Sequence, residues 1–248
     1  MAEVDISLAD GTGVNWSHRL RCIGDGDDSW HAVVTDNSNH RDTVQNGSIA
    51  QIAVWQASNN GSGNYVIDRT YFSFDLSGVP ADATITAVSD FFTVDIGLRA
   101  IADSDAEKMR LVKSTTDSTV ANGTTTANAI DHTVNNGSDV TMPTDNSEVE
   151  FDLGSSGLYD WVVSQHAAGE RGHMYMLSKM EYDSFVSSGA TEPSGVNRSG
   201  ICSLGHATTS KRPRMVVTFT PAPSPPVTKI QIKGGQTKIL SGNLKIKG

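Results

Sequence analysis

The sequence predicts an all-β fold, built as a sandwich or barrel and followed by a strand-forming segment over residues 227–248. Three observations predict it: turn-forming pairs recur, alternating apolar and polar stretches lie between them, and helical periodicity is scarce. In such pairs glycine supplies the positive backbone angle that hairpin turns require. Many strands with glycine-containing turns are typical of sandwiches and barrels. The pairs are Asp10-Gly11, Asp25-Gly26, Asn46-Gly47, Asn60-Gly61, Asn122-Gly123 and Asn136-Gly137.

Four stretches alternate clearly enough to predict individual strands, each with one face in a core and the other in water. They are residues 70–76, 86–96, 148–153 and 215–219. Their apolar faces consist of Phe72, Phe74 and Leu76; of Val88, Phe92, Val94 and Ile96; of Val149, Phe151 and Leu153; and of Met215, Val217 and Phe219.

Two regions depart from the strand pattern. A single short helix is predicted from Leu158 to Ala168, because apolar residues recur there at helical spacing and Gly169 can end it. Residues 114–147 contain no Lys, Arg or Glu and are dominated by Thr, Asn and Ser. That composition predicts a long loop with short strands.

The charge distribution separates an acidic body from a basic arm. The chain has 19 basic and 28 acidic residues, a net charge of −9. Residues 227–248 hold five lysines and no acid, and removing these five positive charges from −9 leaves −14 for residues 1–226. An acidic body argues against sequence-independent binding of duplex nucleic acid, which requires a basic surface. The basic arm could contact nucleic acid or an acidic protein surface, and charge alone does not separate these two partners. We therefore predict a body (residues 1–220), a proline-rich hinge (residues 221–226) and a basic arm (residues 227–248).

The arm has the alternation of half-buried strands at residues 229–233 and 244–247, and Thr-Lys-Ile occurs in it at residues 228–230 and 237–239. Two short strands bury too little apolar surface to offset chain entropy, so their edges should pair with something larger. The alternative is a disordered or self-docked terminus. The residues predicted to bind a partner are Lys229, Ile230, Ile232, Lys233, Lys238, Ile239, Leu244, Lys245, Ile246 and Lys247.

Three segments, in this order along the chain, carry a resemblance to a known family. They are RTYFSFDLSGVPADATI at residues 69–85, VEFDL at 149–153 followed by YDW at 159–161, and KRPRMVVTF at 211–219. They resemble the DNRLRE-type domain, a jelly-roll β-sandwich similar to carbohydrate-binding modules and found in surface and secreted proteins. The resemblance covers residues 49–220 and implies that the body is a jelly-roll β-sandwich.

Motifs of known enzymes are scarce. The seven histidines form no His-Glu-x-x-His pair, no serine stands in Gly-x-Ser-x-Gly, and no phosphate-binding glycine loop occurs. Paired carboxylates for glycoside hydrolysis leave no spacing signature and stay open as an alternative. We predict that the chain is not an enzyme.

Two acidic clusters carry the oxygen ligands that calcium prefers. Neither completes the twelve-residue, helix-flanked calcium loop, and acidic turns also keep sandwiches soluble. A structural calcium ion is thus an alternative to solvated acidic turns, and no other cofactor is predicted. The first cluster is Asp25, Asp27 and Asp28, and the second is Asp103, Asp105 and Glu107.

Large side chains suggest where ligands and buried ion pairs lie. A tryptophan can stack on a sugar ring or fill the core. Trp16 and Trp30 have polar neighbours and are the candidates for glycan binding, whereas Trp161 is expected in the core. We expect Arg69 and Arg212 to pair with carboxylates inside the fold.

The expected cellular compartment is inferred from two kinds of targeting signal, secretion signals and membrane spans. Residues 1–30 lack the basic start and apolar run of a secretion signal, and no segment reaches the roughly 18 consecutive apolar residues of a membrane span. We therefore expect synthesis in the cytoplasm and no membrane partner.

Cys22 and Cys202 form neither a zinc pattern nor a disulfide framework, so we expect buried thiols, with a single bridge as the alternative.

These features together predict a non-enzymatic structural protein of a virus particle. We expect a capsid decoration or fibre-like protein of a tailed bacteriophage, made in the host cytoplasm and located in the virion. The arm would add strands to a capsid or other virion protein or to a neighbouring subunit, with the jelly roll facing outward. Exchanged arms suit a homo-oligomer such as a trimer. The alternative is a carbohydrate-binding module or adhesin that recognises host cell-surface glycans.

Overall fold

The computed structural model describes residues 1–7, 16–23, 28–35, 43–46, 52–61, 64–115, 130–202, 206–223, 230–233 and 236–239. In residues 7, 16–23, 43–46, 52–55, 230–233 and 236–239 it describes the backbone alone. The described residues form fifteen strands and three α-helices, so the chain is all-β, as the sequence predicts.

The strands are β1 Ala2–Ser7, β2 Trp16–Ile23, β3 Thr43–Asn46, β4 Ile52–Asn59, β5 Tyr65–Phe74, β6 Thr84–Ala100, β7 Lys108–Ser114, β8 Ile130–Asn135, β9 Val140–Thr141, β10 Glu148–Asp152, β11 Gly172–Ser178, β12 Arg198–Cys202, β13 Arg214–Thr220, β14 Ile230–Lys233 and β15 Gln236–Ile239. The helices are α1 Trp30–Thr35, α2 Gly157–Ala168 and α3 Lys179–Val186. The four predicted strands are confirmed by β5, β6, β10 and β13, although β5 ends at Phe74, before Leu76, and β10 ends at Asp152, before Leu153. In the region predicted to be a long loop, the described part contains the short strands β8 and β9, and residues 116–129 lie outside it.

Hydrogen bonds join thirteen of the described strands into one antiparallel system. The 17-residue β6 links its two parts: the first half pairs with β13 and β10, and the second half pairs with β12. In the other part, β5 pairs with β2 along one edge and with β4 and β11 along the other.

The two parts face each other across the core. The ring centroids of Phe72 in β5 and Phe92 in β6 lie 4.6 Å apart, and those of Phe92 and Phe151 in β10 lie 5.4 Å apart. Gly172 in β11 and Met215 in β13 also pack closely, since a Cβ built on Gly172 would lie 3.5 Å from Met215 Cε. Because side chains of both parts interdigitate, the fold is sandwich-like. The jelly-roll connectivity that the resemblance implies stays a prediction.

Turn chemistry follows the sequence where the structure describes it. Gly61, between β4 and β5, has φ 96°, and Gly137, between β8 and β9, has φ 83°. These positive angles confirm the turns predicted at the Asn60-Gly61 and Asn136-Gly137 pairs. The other four pairs include residues outside the described ranges.

The predicted helix is confirmed as α2. The Ser156 side chain accepts a hydrogen bond from the Tyr159 backbone N–H at the start, and Gly169 ends the helix with φ 72°. The sequence predicts one helix, but α1 and α3 are also present, because six and eight residues are too few to show helical periodicity. None of the described helices is long and apolar enough to cross a membrane.

Replacing Gly169 with Ala should lower the free energy of unfolding by about 1 kcal/mol, because an L side chain is strained at positive φ. A Cβ there would meet nothing within 4 Å, so the cost lies in the backbone. Gly157→Ala at the first turn of α2 is the matched control and should be neutral or slightly stabilising. Urea unfolding of both variants measures the difference, and an equal effect would contradict the prediction.

Both faces of β5 are buried, which corrects the expectation that one face lies in water. The α1 and α3 helices are tied to β5 by Arg69, whose Nη2 donates to Val34 O of α1 at 2.8 Å and whose Nε donates to Glu181 of α3. The predicted pairing of Arg69 with a buried carboxylate is confirmed. Arg212 instead donates from Nε to the backbone oxygen of His206 at 3.0 Å.

Cys202 is a free, buried thiol, which confirms the preferred interpretation for this cysteine. Burial raises the pKa of this thiol, so it stays protonated at neutral pH. The Cys22 side chain lies outside the described residues.

Candidate functional site

The described part of the arm is an antiparallel hairpin of β14 and β15, which pair with each other in a sheet separate from the thirteen-stranded system. Ile230 lies opposite Ile239, and Ile232 lies opposite Thr237. Because directly opposite residues share a face, these four positions form one face of the hairpin. The other face consists of Gln231, Lys233, Gln236 and Lys238. The hairpin therefore has an apolar face and a basic polar face.

The strand predicted at residues 229–233 is confirmed by β14. The second described strand lies at Gln236–Ile239, within the repeated Thr-Lys-Ile, and not at residues 244–247. The remaining predicted arm residues lie outside the described ones: Lys229, Leu244, Lys245, Ile246 and Lys247.

A two-stranded hairpin is at best marginally stable in water. In the described residues, β14 and β15 have no further strand partner, so their outer edges present backbone N–H and C=O groups for pairing. The hairpin thus has the geometry needed for strand addition to another sheet.

The first predicted calcium cluster is outside the described residues except for Asp28, which is half-buried. Its metal binding therefore stays a prediction. In the described part of the chain, no group of three or more His, Cys, Asp or Glu side chains is arranged to hold a metal.

The carboxylates of the second predicted cluster lie against different protein partners. Asp103 accepts hydrogen bonds from Ser194 Oγ at 2.6 Å and from Asn197 Nδ2 at 2.7 Å. Burial acts to raise the pKa of Asp103, but these and other hydrogen bonds together outweigh burial, so the pKa is lowered. Asp105 accepts from Lys108 Nζ at 2.7 Å, and Glu107 accepts from Arg99 Nη2 at 2.6 Å. We conclude that this cluster holds the surrounding loops together and does not form the predicted calcium site.

Trp30 does not offer a surface for a sugar, which corrects its prediction as a glycan-binding residue. Its side chain lies in α1 and is only 1 % exposed. The indole Nε1 donates to Met180 O at 3.4 Å, and the ring centroid is 5.5 Å from that of Tyr65. Trp16 lies in β2, and its side chain is outside the described residues.

A polar cleft that the sequence did not predict opens beside the C-terminal turn of α2. Its volume is about 300 Å³, and its walls come from β7, α2 and β11. Trp161, expected to be a core residue, is half-buried and lines this cleft. The lining includes Lys113, Ser114, Trp161, Gln165, Glu170 and His173.

The aromatic wall of the cleft is held in place from behind. The Trp161 and His173 rings have centroids 6.0 Å apart, and His173 stacks with Tyr71 at 6.3 Å. His173 Nδ1 also lies 3.1 Å from Ser73 Oγ, within hydrogen-bonding distance. These contacts fix the position of the imidazole beside the Trp161 indole.

The polar wall of the cleft has one cationic side chain, Lys113, and one anionic side chain, Glu170. Lys113 Nζ donates to Asp131 Oδ2 at 3.4 Å, and Gln165 Nε2 donates to Arg171 O at 3.1 Å. Glu170 is exposed at the rim. The cleft can therefore supply hydrogen-bond donors and acceptors next to an aromatic surface.

A second cavity of about 300 Å³ lies on the other side of Glu170 and is mainly apolar. His166 of α2 forms part of its wall, with Nε2 3.3 Å from Val79 O. Glu170 therefore stands between two cavities of different polarity. The apolar lining includes Leu76, Val79, Pro80 and Ala81.

The chain matches no protein-family model and no curated protein. The resemblance to the DNRLRE-type domain is therefore carried by residues 69–85, 149–161 and 211–219 alone, and it stays a prediction. In the structure these residues form β5 with the turn after it, β10 with the start of α2, and β13.

Proposed function

We propose that this chain is a non-enzymatic structural protein that attaches to a larger assembly through its arm. The observation that carries the proposal is the β14–β15 hairpin, which forms its own two-stranded sheet among the described residues and has one apolar face. Strand addition to a partner would complete the pairing of an open edge and bury the apolar face at the same time.

Charge complementarity supports an acidic partner surface. The arm carries five lysines and no acid, whereas the body carries a net charge of −14 once those five charges are removed from the chain's −9. A neighbouring copy of this chain therefore presents the charge that the arm requires, which favours a homo-oligomer with exchanged arms, such as a trimer.

The assembly that we propose is a virus particle of the tailed-bacteriophage kind, with the chain as a capsid decoration or fibre-like protein. An acidic, loop-rich β body joined to a basic strand-forming arm supports this assignment, because such a body can face outward while the arm is inserted in the particle. The resemblance of residues 69–85 to a surface-protein domain is consistent with an outward-facing body.

Deleting residues 227–248 tests the attachment, since the deletion should remove the protein from purified particles while the body stays folded. Ile232→Lys places a charge on the apolar face and should reduce occupancy at least tenfold. Gln231→Lys adds the same charge to the polar face of the same strand and should leave occupancy unchanged. Quantitative mass spectrometry of the particles measures all three, and normal occupancy of the truncated protein would refute the proposal.

Hydrogen exchange gives an independent prediction for residues 230–239. In the isolated chain their amides should exchange rapidly, because a free two-stranded hairpin opens readily. In the assembly they should become protected by at least tenfold, since an added partner strand pairs the open edge. Exchange followed by mass spectrometry measures the difference. Strong protection in the isolated monomer would mean that the arm is already paired within its own chain.

A further inference from the structure

We propose that the outer edge of β1 in a second copy of this chain receives β14 of the arm. The inference rests on the proposed function, since it names the strand to which the hairpin is added. The acceptor is β1 at Ala2–Ser7, and the contact joins two copies of the chain through their arms.

The first observation is that β1 is an edge strand. It lies at one end of the part of the sheet in which β1, β13, the first half of β6 and β10 follow one another. Among the described residues β1 pairs with β13 alone, so the backbone N–H and C=O groups on its other side have no strand partner there. β1 has six residues and β14 has four, so the edge is long enough to pair with the whole of β14.

The second observation is that β1 leaves apolar surface for a partner to cover. Ala2 and Val4 pack against the core but are only half-buried. At the opposite edge of these four strands, Val149 and Phe151 of β10 are already buried. An added strand would therefore gain more apolar burial at β1 than at β10, which favours β1 as the acceptor.

The third observation is that the two strands alternate in the same way. The apolar residues of β1 face the core, and between them Glu3 and Asp5 face water. In the hairpin the isoleucines share one face, and Lys233 and Lys238 belong to the other. The side chains of an added strand continue the two faces of the sheet. A pairing that places the isoleucines on the core side therefore places both lysines on the side of Glu3 and Asp5.

The acids of β1 keep negative charge available for this contact. Arg214 of the neighbouring β13 has its Nη1 3.4 Å from Asp5 Oδ2, but its Nη2 also donates to Glu148 Oε1 of β10 at 2.8 Å. One guanidinium thus serves carboxylates of both edge strands, and its contact with Asp5 is the longer one. Lysines of an arriving arm would add the positive charge that this side of β1 lacks.

A second copy of the chain is the source of the added strand. In the described residues β14 pairs with β15 and with no strand of its own body, so the chain does not fill its own β1 edge there. Each copy offers one arm and one acceptor edge. Such a contact between two different surfaces can close into a ring, as in the proposed trimer.

Zero-length crosslinking of the full-length chain tests which edge receives the arm. Unlabelled and heavy-isotope-labelled chains are mixed, left to exchange and treated with a carbodiimide, which joins a lysine amine to a carboxylate in contact with it. Mass spectrometry should find peptides that link Lys233 or Lys238 to Glu3 or Asp5, with one light and one heavy member. Arm links that reach only the acids of β10, or that join only peptides of the same isotope, would overturn the inference.

Charge reversal gives a second test with a matched control. Glu3→Lys should raise the Kd for self-association about tenfold at low salt, because attraction to the arm's lysines becomes repulsion. Glu150→Lys makes the same change at an exposed position in β10, on the opposite edge, and should leave the Kd unchanged. Lys233→Glu added to Glu3→Lys should recover part of the loss. Sedimentation velocity measures each variant, and a monomeric wild type or equal effects of Glu3→Lys and Glu150→Lys would show the inference to be wrong.

The two proposals fail in different ways. If Glu3→Lys leaves self-association unchanged while deletion of residues 227–248 still removes the protein from particles, the arm attaches elsewhere and only this inference is wrong. If the truncated protein keeps normal occupancy while Glu3→Lys weakens self-association, the arm pairs copies of the chain and the attachment proposal is the one that fails.

Discussion

Replacing Glu181 with leucine should lower the free energy of unfolding by about 3–5 kcal/mol, because the substitution removes one member of a buried ion pair. The Arg69 guanidinium would keep its charge beneath α3 without the Glu181 carboxylate. The side chains of Arg69 and Glu181 are 0 % and 2 % exposed, so water cannot replace the lost partner. Urea unfolding followed by circular dichroism measures the loss.

The double variant Arg69→Met/Glu181→Leu separates this pair from general damage to the core. Two apolar side chains of similar length remove both members of the Arg69–Glu181 pair, so the double variant should recover most of the loss. Lys179→Met breaks a partly exposed ion pair with Asp183 on the same helix, and it should cost less than about 1 kcal/mol. A loss for Glu181→Leu no larger than that of Lys179→Met would contradict the prediction.

The buried pair also has a pH dependence with a defined sign. Burial raises the pKa of the Glu181 carboxyl, and the Arg69 guanidinium offsets part of this rise. A carboxyl whose pKa is higher in the folded state costs stability as the pH rises above the unfolded value of about 4.3. The pair therefore does more to join α3 to β5 than to raise stability at neutral pH.

Replacing Asp90 with valine should raise the free energy of unfolding by about 1–3 kcal/mol at pH 7. Asp90 is in the middle of β6, opposite Phe151 in β10 and Met215 in β13, and it is 0 % exposed. Neither of its carboxyl oxygens has a hydrogen-bond partner among the described residues. Valine removes this unsatisfied polar group and suits a strand.

The gain at position 90 should depend on pH, because burial raises the pKa of the Asp90 carboxyl well above its usual value. In the unfolded chain the Asp90 carboxyl ionises above about pH 4, whereas in the folded protein it stays protonated up to its raised pKa. The wild type therefore loses stability as the pH rises from about 4 to the pKa of the folded protein. The advantage of Asp90→Val should thus be larger at pH 7 than at pH 4. Asp90→Asn removes the ionisation but keeps a polar side chain, so it should show only the pH-dependent part of the gain in the free energy of unfolding. A pH-independent gain, or a loss of stability in Asp90→Val, would contradict this account.

Local patterns predicted most of the β architecture because strand and turn signals depend on near neighbours. The alternation of Val149 and Phe151 with acidic residues requires no knowledge of the partner strand, and β10 has this face buried. Gly61 and Gly137 supply positive φ at turns whatever packs around them. Gly169 likewise marks the C-terminal end of α2, as the sequence predicts.

The predictions that failed concern burial decided by distant parts of the chain. Trp30 has polar neighbours in sequence, but it packs near Met180, which is 150 positions away. β5 alternates like a half-buried strand, yet α1 and α3 cover its second face and enclose Arg69. No local pattern records which helix will lie on a strand, because that contact depends on long-range packing.

The sequence by itself determined the all-β class, the turns, the helix α2 and the amphipathic character of β14, since each follows from the spacing of adjacent residues. Only the tertiary structure decided that β15 pairs with β14 at Gln236–Ile239, that Glu181 pairs with Arg69, and that Trp161 lines a polar cleft. The physical reason is that backbone preferences act within a few residues. The exposure of a side chain and the identity of its partner are set by whatever the folded chain brings against it.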